Sequence, residues 1–277
     1  MHYKFSIILC LLAFSFSVLA ESGLLFPDTN YIHAPESTKT IGKSRSIILN
    51  VDFEKVRDLP RQSMEFNVAK KVAYLELDFD FTTAKCSGFL VGPQLLLTNY
   101  HCLNNRGHLI NPFDIRVFMD YFEDNKKGEI TTRGVEIVKF NQSLDYALIK
   151  LQKPIGKQYG WLTLQTSLAS DEIMLIQHPQ GRSKEITRAN SKVIKVFFDS
   201  IHYIADTEYG SSGSPVFAIG SQNVVAMHHI GNREEKFNEG ILMSQVEPEI
   251  RPWLPKQDTK SQVSSRVDPL IERIEEF

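Results

Sequence analysis

From residue 68 onward the chain is a succession of short apolar runs separated by polar turns. The runs span 72–77, 88–91, 95–98, 115–118, 135–140, 147–151, 173–177, 192–198, 202–205, 216–219, 224–228 and 241–244. Between them stand Gly92-Pro93, Asn104-Asn105, Lys127-Gly128 and Pro179-Gln180-Gly181, the residue types that turn a chain. Many short strands with regular punctuation predict an all-β sandwich or barrel protein. Helical periodicity is confined to the C-terminus, where Asp268 as cap and Pro269 as first helical residue predict a short helix through Glu276. Residues 21–65, with Pro27, Pro35 and Pro60 and a mixed polar texture, read as an N-terminal extension or propeptide. The strand-rich domain then covers 66–255, and 256–277 are a charged linker and tail.

The first twenty residues have another character. Lys4 supplies a positive charge, 7–18 are mostly apolar, and Val18-Leu19-Ala20 has the small-x-small form of a signal-peptide cleavage site. The apolar run is short for a membrane span, so no membrane anchor is expected and the protein is read as exported, to the periplasm or the medium, after cleavage near Ala20. Formal net charge is −2, with 31 basic and 33 acidic residues, which offers nothing to attract nucleic acid. Once Cys10 leaves with the signal, Cys86 and Cys102 remain, and an even pair in an exported chain reads as a disulfide. A bridge closing a loop of about sixteen residues stabilises by roughly 3 kcal/mol in the chain-entropy model.

Candidate chemistry gathers at three places. Thr207-Glu208-Tyr209-Gly210-Ser211-Ser212-Gly213-Ser214-Pro215 is a Gly/Ser turn ahead of an apolar run, able to point backbone amides one way beside a hydroxyl, as acyl transfer requires. Such clusters are also ordinary turns. A serine nucleophile needs a base, and that base needs orienting. His101, after the apolar 95–98 run and just before Cys102, is the candidate base; Asp145, at the head of an alternating strand, is the candidate acid.

Together these segments resemble the trypsin/chymotrypsin superfamily. Leu97-Thr98-Asn99-Tyr100-His101-Cys102 is similar to its L-T-A-A-H-C motif, Asp145-Tyr146-Ala147-Leu148-Ile149-Lys150-Leu151 to D-I-A-L-L-K-L, and Gly210-Ser211-Ser212-Gly213-Ser214-Pro215 to G-D-S-G-G-P. The order His101, Asp145, Ser212 is that of the chymotrypsin-like enzymes. The resemblance implies two six-stranded antiparallel barrels with the active site between them. It implies Ser212 as nucleophile, His101 as general acid/base, Asp145 as its orienting acid, and the N–H groups of Gly210 and Ser212 as oxyanion hole. Cys86 and Cys102 fall where the family's histidine-loop disulfide lies.

Ser211 replaces the aspartate with which the digestive branch pairs a new N-terminus, and Gly-x-Ser-Gly-Ser-Pro resembles the bacterial branch that includes the glutamyl endopeptidases. If a propeptide is removed, the Arg45-Ser46-Ile47-Ile48 region is the expected junction. The substrate pocket is expected between the segment before Ser212 and the strand running from Val224 to Gly231. Thr207 and His228 match positions that grip a glutamate carboxylate, whereas Asp206 stands where trypsin-like enzymes select Lys or Arg. Both selectivities stay open, with glutamate favoured. No metal or cofactor is expected; the substrate is a protein or peptide, and the enzyme is expected to act as a monomer. The reading from another class is a protease-like binding or adhesion module without catalysis.

Overall fold

The computed structural model describes residues 52–256. The signal segment, the 45–48 junction and the predicted 268–276 helix lie outside the described residues. Strand β1 (Glu54–Lys55) and helix α1 (Met64–Ala69) come first. They are followed by β2 (Val72–Phe79), β3 (Thr82–Gly92), β4 (Leu95–Thr98), the one-turn α2 (Tyr100–Leu103), β5 (Asn104–Asn105), β6 (His108–Leu109), β7 (Ile115–Phe118), β8 (Thr132–Asn141) and β9 (Tyr146–Leu151). After α3 (Gly156–Tyr159) come β10 (Ile173–Gln177), β11 (Glu185–Thr187), β12 (Lys192–Val196) and β13 (Ser200–Ile204). The last described elements are β14 (Pro215–Ala218), β15 (Val224–Asn232), β16 (Phe237–Leu242) and α4 (Met243–Ile250).

Strands β2-β3-β4-β9-β8-β7 form a closed antiparallel barrel. The remaining large sheet has eight strands in the order β1-β11-β10-β14-β15-β16-β13-β12. A bridge between Glu172 and Lys192 brings β12 back beside β10, with Ile173 N on Ser191 O at 3.1 Å and Val193 N on Asp171 O at 2.7 Å. Six strands thus come round as a second ring, and β11 and β1 extend its edge. The predicted double-barrel architecture holds, with two short strands added to the second sheet.

The uninterrupted apolar runs have a structural cause: alternate residues feed different cores. On β4, Leu96 joins Leu75, Leu90 and Ile149 in one cluster, while Leu97 joins Leu148, Met174 and Phe217 in another. On β10, Met174 and Ile176 enter that same shared core, while Ile173 and Leu175 pack with Val216 and Ala226. The shared cluster draws on both barrels, which fixes their mutual position and hence that of any site spanning them.

Two segments differ from the sequence reading. Residues 52–65, assigned by composition to the extension, are packed into the fold: Glu54 and Lys55 pair with Ile186 and Glu185. Ser63 Oγ caps α1 by accepting from Phe66 N at 3.1 Å, and Phe66, Val68 and Ala69 are buried. The expected strand 241–244 instead ends β16 and begins α4, because Met243, Val246 and Ile250 share one apolar face at helical spacing. No helix among the described residues is long and apolar enough to cross a membrane.

Candidate active site

His101 lies on α2, directly after β4, and Asp145 immediately precedes β9, the strand paired with β4. Pairing of Thr98 with Ala147 therefore brings the two together. Asp145 takes a left-handed backbone conformation (φ 45°), and Asn99 Nδ2 donates to its carbonyl at 2.9 Å. Its Oδ1 accepts from His101 N at 2.8 Å and its Oδ2 from His101 Nδ1 at 2.6 Å. Burial opposes the charge on Asp145, but the adjacent His101 and His229 hold its carboxyl well below the usual carboxylate range. The His101 side chain is 45% exposed, and its Nε2 lies 3.9 Å from Cys102 Sγ. Cys86 on β3 is bonded to Cys102, the residue after His101, which ties α2 to the barrel wall.

Ser212 arrives from the other sheet, on the turn before β14. Ser87 N donates to Ser212 O at 2.8 Å, joining the turn to β3. Gly213 is required here twice over: its φ is 83°, and a Cβ would overlap the Ser87 carbonyl and the Thr98 hydroxyl. Gly210 has φ 96°, and a Cβ would lie 2.6 Å from His178 O. Among the described residues, neither the Gly210 nor the Ser212 amide donates to a protein group, while those of Ser211, Gly213 and Ser214 do. Two unspent donors beside a serine are the raw material of an oxyanion site. No hydrogen bond joins Ser212 Oγ to His101 Nε2 among the described residues.

Ser211 is fully buried and locks the turn instead of carrying charge: its Oγ accepts from Glu208 N at 3.1 Å. A support invisible to sequence reasoning stands behind it. Ser87 Oγ accepts from His178 N at 3.0 Å and donates to Gly210 O at 2.9 Å, so one buried hydroxyl holds the Gly210–Ser211 peptide, while Gln180 N donates to Tyr209 O at 2.5 Å in the peptide that carries the Gly210 amide. His178, which precedes the Pro179-Gln180-Gly181 turn, is fully buried, with Nδ1 against Arg182 O at 3.0 Å. Burial, aided by Lys184, lowers its pKa to about 3, so it is neutral.

The specificity candidates are all traced. Asp206 is 5% exposed and its Oδ2 accepts from Asp52 N at 2.8 Å. Thr207 is buried and donates to Asn238 Oδ1 at 2.7 Å. His228 is buried, with Nδ1 2.6 Å from the Tyr203 hydroxyl; burial and the neighbouring His229 and His101 lower its pKa to about 3. Burial keeps the Tyr203 phenol protonated. When that phenol donates to Nδ1, the proton of the neutral ring resides on Nε2. Gly231 is half-buried on β15, opposite Asn238.

His229 has other partners than His228 and reaches Asp145 Oδ2 with its Nδ1 at 2.9 Å. The polar atoms of His101, Asp145 and His229 lie within 4.8 Å of one another, and Asp145 Oδ2 is already bonded to both rings. Cys86 and Cys102 also flank His101, but their sulfurs are joined to each other. In the acidic segment 120–124, Asp120 accepts from Tyr159, Glu123 from Lys126, and Asp124 from Lys55 and Ser183 N, so each carboxylate has a protein donor.

The trypsin-like peptidase domain family matches residues 86–227. Secreted RxLR effector protein 73 of Plasmopara viticola is 31% identical over 165 residues, 53% of this chain and 41% of the relative. A glutamyl endopeptidase of Staphylococcus epidermidis is 24% identical over 182 residues, 62% of this chain and 63% of the relative. The chain thus spans less than two thirds of these relatives' lengths. Among solved structures, a Glu endopeptidase in complex with MPD superposes with a TM-score of 0.60 at 22% identity, covering 75% of this chain and 98% of that one. That likeness concerns the fold.

Proposed function

The chain belongs to the trypsin-like peptidase domain family, and from that premise we propose that it is a secreted serine endopeptidase acting through an acyl-enzyme on Ser212. The observation that carries this reading is the His101 Nδ1–Asp145 Oδ2 bond of 2.6 Å on a side chain that remains 45% exposed. His101 takes the Ser212 proton as the hydroxyl attacks a substrate carbonyl, then returns it to the leaving amine. Asp145 fixes the imidazole tautomer and stabilises the imidazolium. The unspent Gly210 and Ser212 amides receive the oxyanion, and loss of one such donor costs on the order of 3–4 kcal/mol of barrier.

A preference for glutamate before the cleaved bond is part of the proposal. The Asp206 carboxylate, which would favour Lys or Arg, is engaged by the Asp52 amide. His228 is neutral, so it offers a glutamate carboxylate a donor without a competing acid. The name of the Staphylococcus relative supports the same choice. Secretion rests on the signal-like first twenty residues.

A fluorophosphonate probe tests the chemistry: labelling of the wild type that disappears in Ser212→Ala is expected. Folded, unlabelled wild type would instead mark a binding module. A peptide library then tests selectivity, and cleavage mainly after Lys or Arg would overturn the glutamate assignment.

A further inference from the structure

Behind Asp145 runs a line of ionisable side chains that the triad does not use. Oδ2 of Asp145, already bonded to His101, also accepts from His229 Nδ1 at 2.9 Å. The other ring nitrogen, Nε2, lies 3.2 Å from Glu239 Oε1, and Glu239 Oε2 lies 3.0 Å from His202 Nε2. His202 is stacked on Phe237 with ring centroids 3.8 Å apart, and it faces Glu239 across the β13–β16 pair.

The backbone is shaped for this contact. The β15–β16 register slips between His228 and Ile230, so that His228 opposes Gly240 and Ile230 opposes Glu239. His229 is the extra residue of that bulge, and bulges re-aim side chains in this way. The chemistry of the ring follows from its partners. A neutral imidazole has one N–H, yet His229 presents each nitrogen to a carboxylate, so both bonds form only with an imidazolium. Burial works against that charge, but hydrogen bonds to Asp145 and Glu239 outweigh it and raise the His229 pKa to about 9. The other groups against the line carry no charge: His228 is neutral and Tyr203 protonated.

We propose that His229, charged and seated on Glu239, is a positioning residue for catalysis, holding Asp145 ionised and aimed at His101 while drawing off part of its negative charge. This rests on the triad reading above. The consequence concerns pH. With a fixed cation next to Asp145, the acid limb of kcat/KM lies lower than Asp145 alone would set it. Glu239 partly offsets the field of His229 from farther away, leaving a modest net effect.

The test uses His229→Gln and Glu239→Gln in the full chain, with active enzyme counted by fluorophosphonate titration. In His229→Gln the acid limb should move up by roughly half a pH unit to one unit, the size expected for a charge about 5 Å away in a high-dielectric site. Glu239→Gln, which replaces the carboxylate that favours the His229 imidazolium by a neutral amide and so lets the ring give up its second proton, should move it the same way by a smaller amount; kcat should fall several-fold with KM little changed. If both variants lose only active fraction or thermal stability while the acid limb stays put, the role is structural and the proposal fails. Nitrogen-detected NMR of histidines in the Ser212→Ala protein supplies a readout independent of turnover. His229 should carry protons on both ring nitrogens at pH 7.5, and a single-proton tautomer there would overturn the proposal even if the enzyme is active.

Discussion

At the scale of single residues, the groups proposed to do chemistry and the groups that aim them have different visibility. His101, Asp145 and Ser212 sit in motifs that resemble those of the family, so the sequence exposes them. Ser87 does not: it is a small residue after a cysteine, and only the fold reveals that it joins His178 N to Gly210 O. Ser87→Ala would leave both groups buried without a partner, at about 1–3 kcal/mol of stability. A lower urea midpoint is expected, together with slower fluorophosphonate labelling, since the Gly210–Ser211 peptide between the two proposed donors would lose its anchor. Labelling at the wild-type rate would show that the oxyanion turn is held by its own hydrogen bonds. His229 was equally obscure, because a His-His pair on a strand shows alternation and not what either ring meets.

At the scale of elements, strands with both faces buried announced themselves, as β4, β7 and β10 match their apolar runs at both ends. What escaped is informative. Most of β16 is Phe237-Asn238-Glu239-Gly240, which lacks an apolar run because Asn238 and Glu239 are spent on buried polar contacts to Thr207 and His229. Helix α4 was hidden because Ile241-Leu242-Met243 reads as strand, Leu242 provides no side-chain cap, and Pro248 lies inside the helix. Strand β1 has two charged residues, and only its partner on β11 makes it a strand. The Cys86–Cys102 bridge works at this scale as well, linking β3 to α2 across a separation of 16 residues. Replacing both cysteines with alanine should cost roughly 3 kcal/mol by the loop-entropy estimate, read as a shift in denaturant midpoint at unchanged slope. Because α2 carries His101, labelling of the folded double variant should fall as well. Full labelling in folded protein would mean that β4 and Asp145 suffice to place the base.

For the whole molecule, the telling groups are the ionisable ones packed at the junction of the two sheets. His178 and His228 have pKa values near 3 when folded, against about 6.5 unfolded. The unfolded chain therefore binds more protons between these values, and stability should fall as the pH drops from 6.5 toward 3. Lys184 acts on the alkaline side. It is fully buried, donates to Met119 O at 2.9 Å and lies 4.5 Å from the Phe122 ring, so an ammonium on the strand side of the second sheet is fixed to the wall of the first barrel. Burial, only partly countered by Asp120, lowers its pKa to about 7 from 10.5. Between those values the unfolded state holds the extra proton, so Lys184 makes stability rise with pH across 7 to 10.5. His229, raised to about 9, contributes the opposite slope from 6.5 to 9, because its stabilising charge is lost there. The two overlap, so wild-type stability should be nearly level from pH 7 to 9. Lys184→Met separates them: it removes the rising component and leaves the fall due to His229. Urea midpoints measured from pH 6 to 10 should show the variant more stable than wild type at pH 6–7, with the advantage shrinking as pH rises. A constant difference across that range would mean that Lys184 stays protonated in its site, with the Phe122 face and the Met119 carbonyl compensating for lost water.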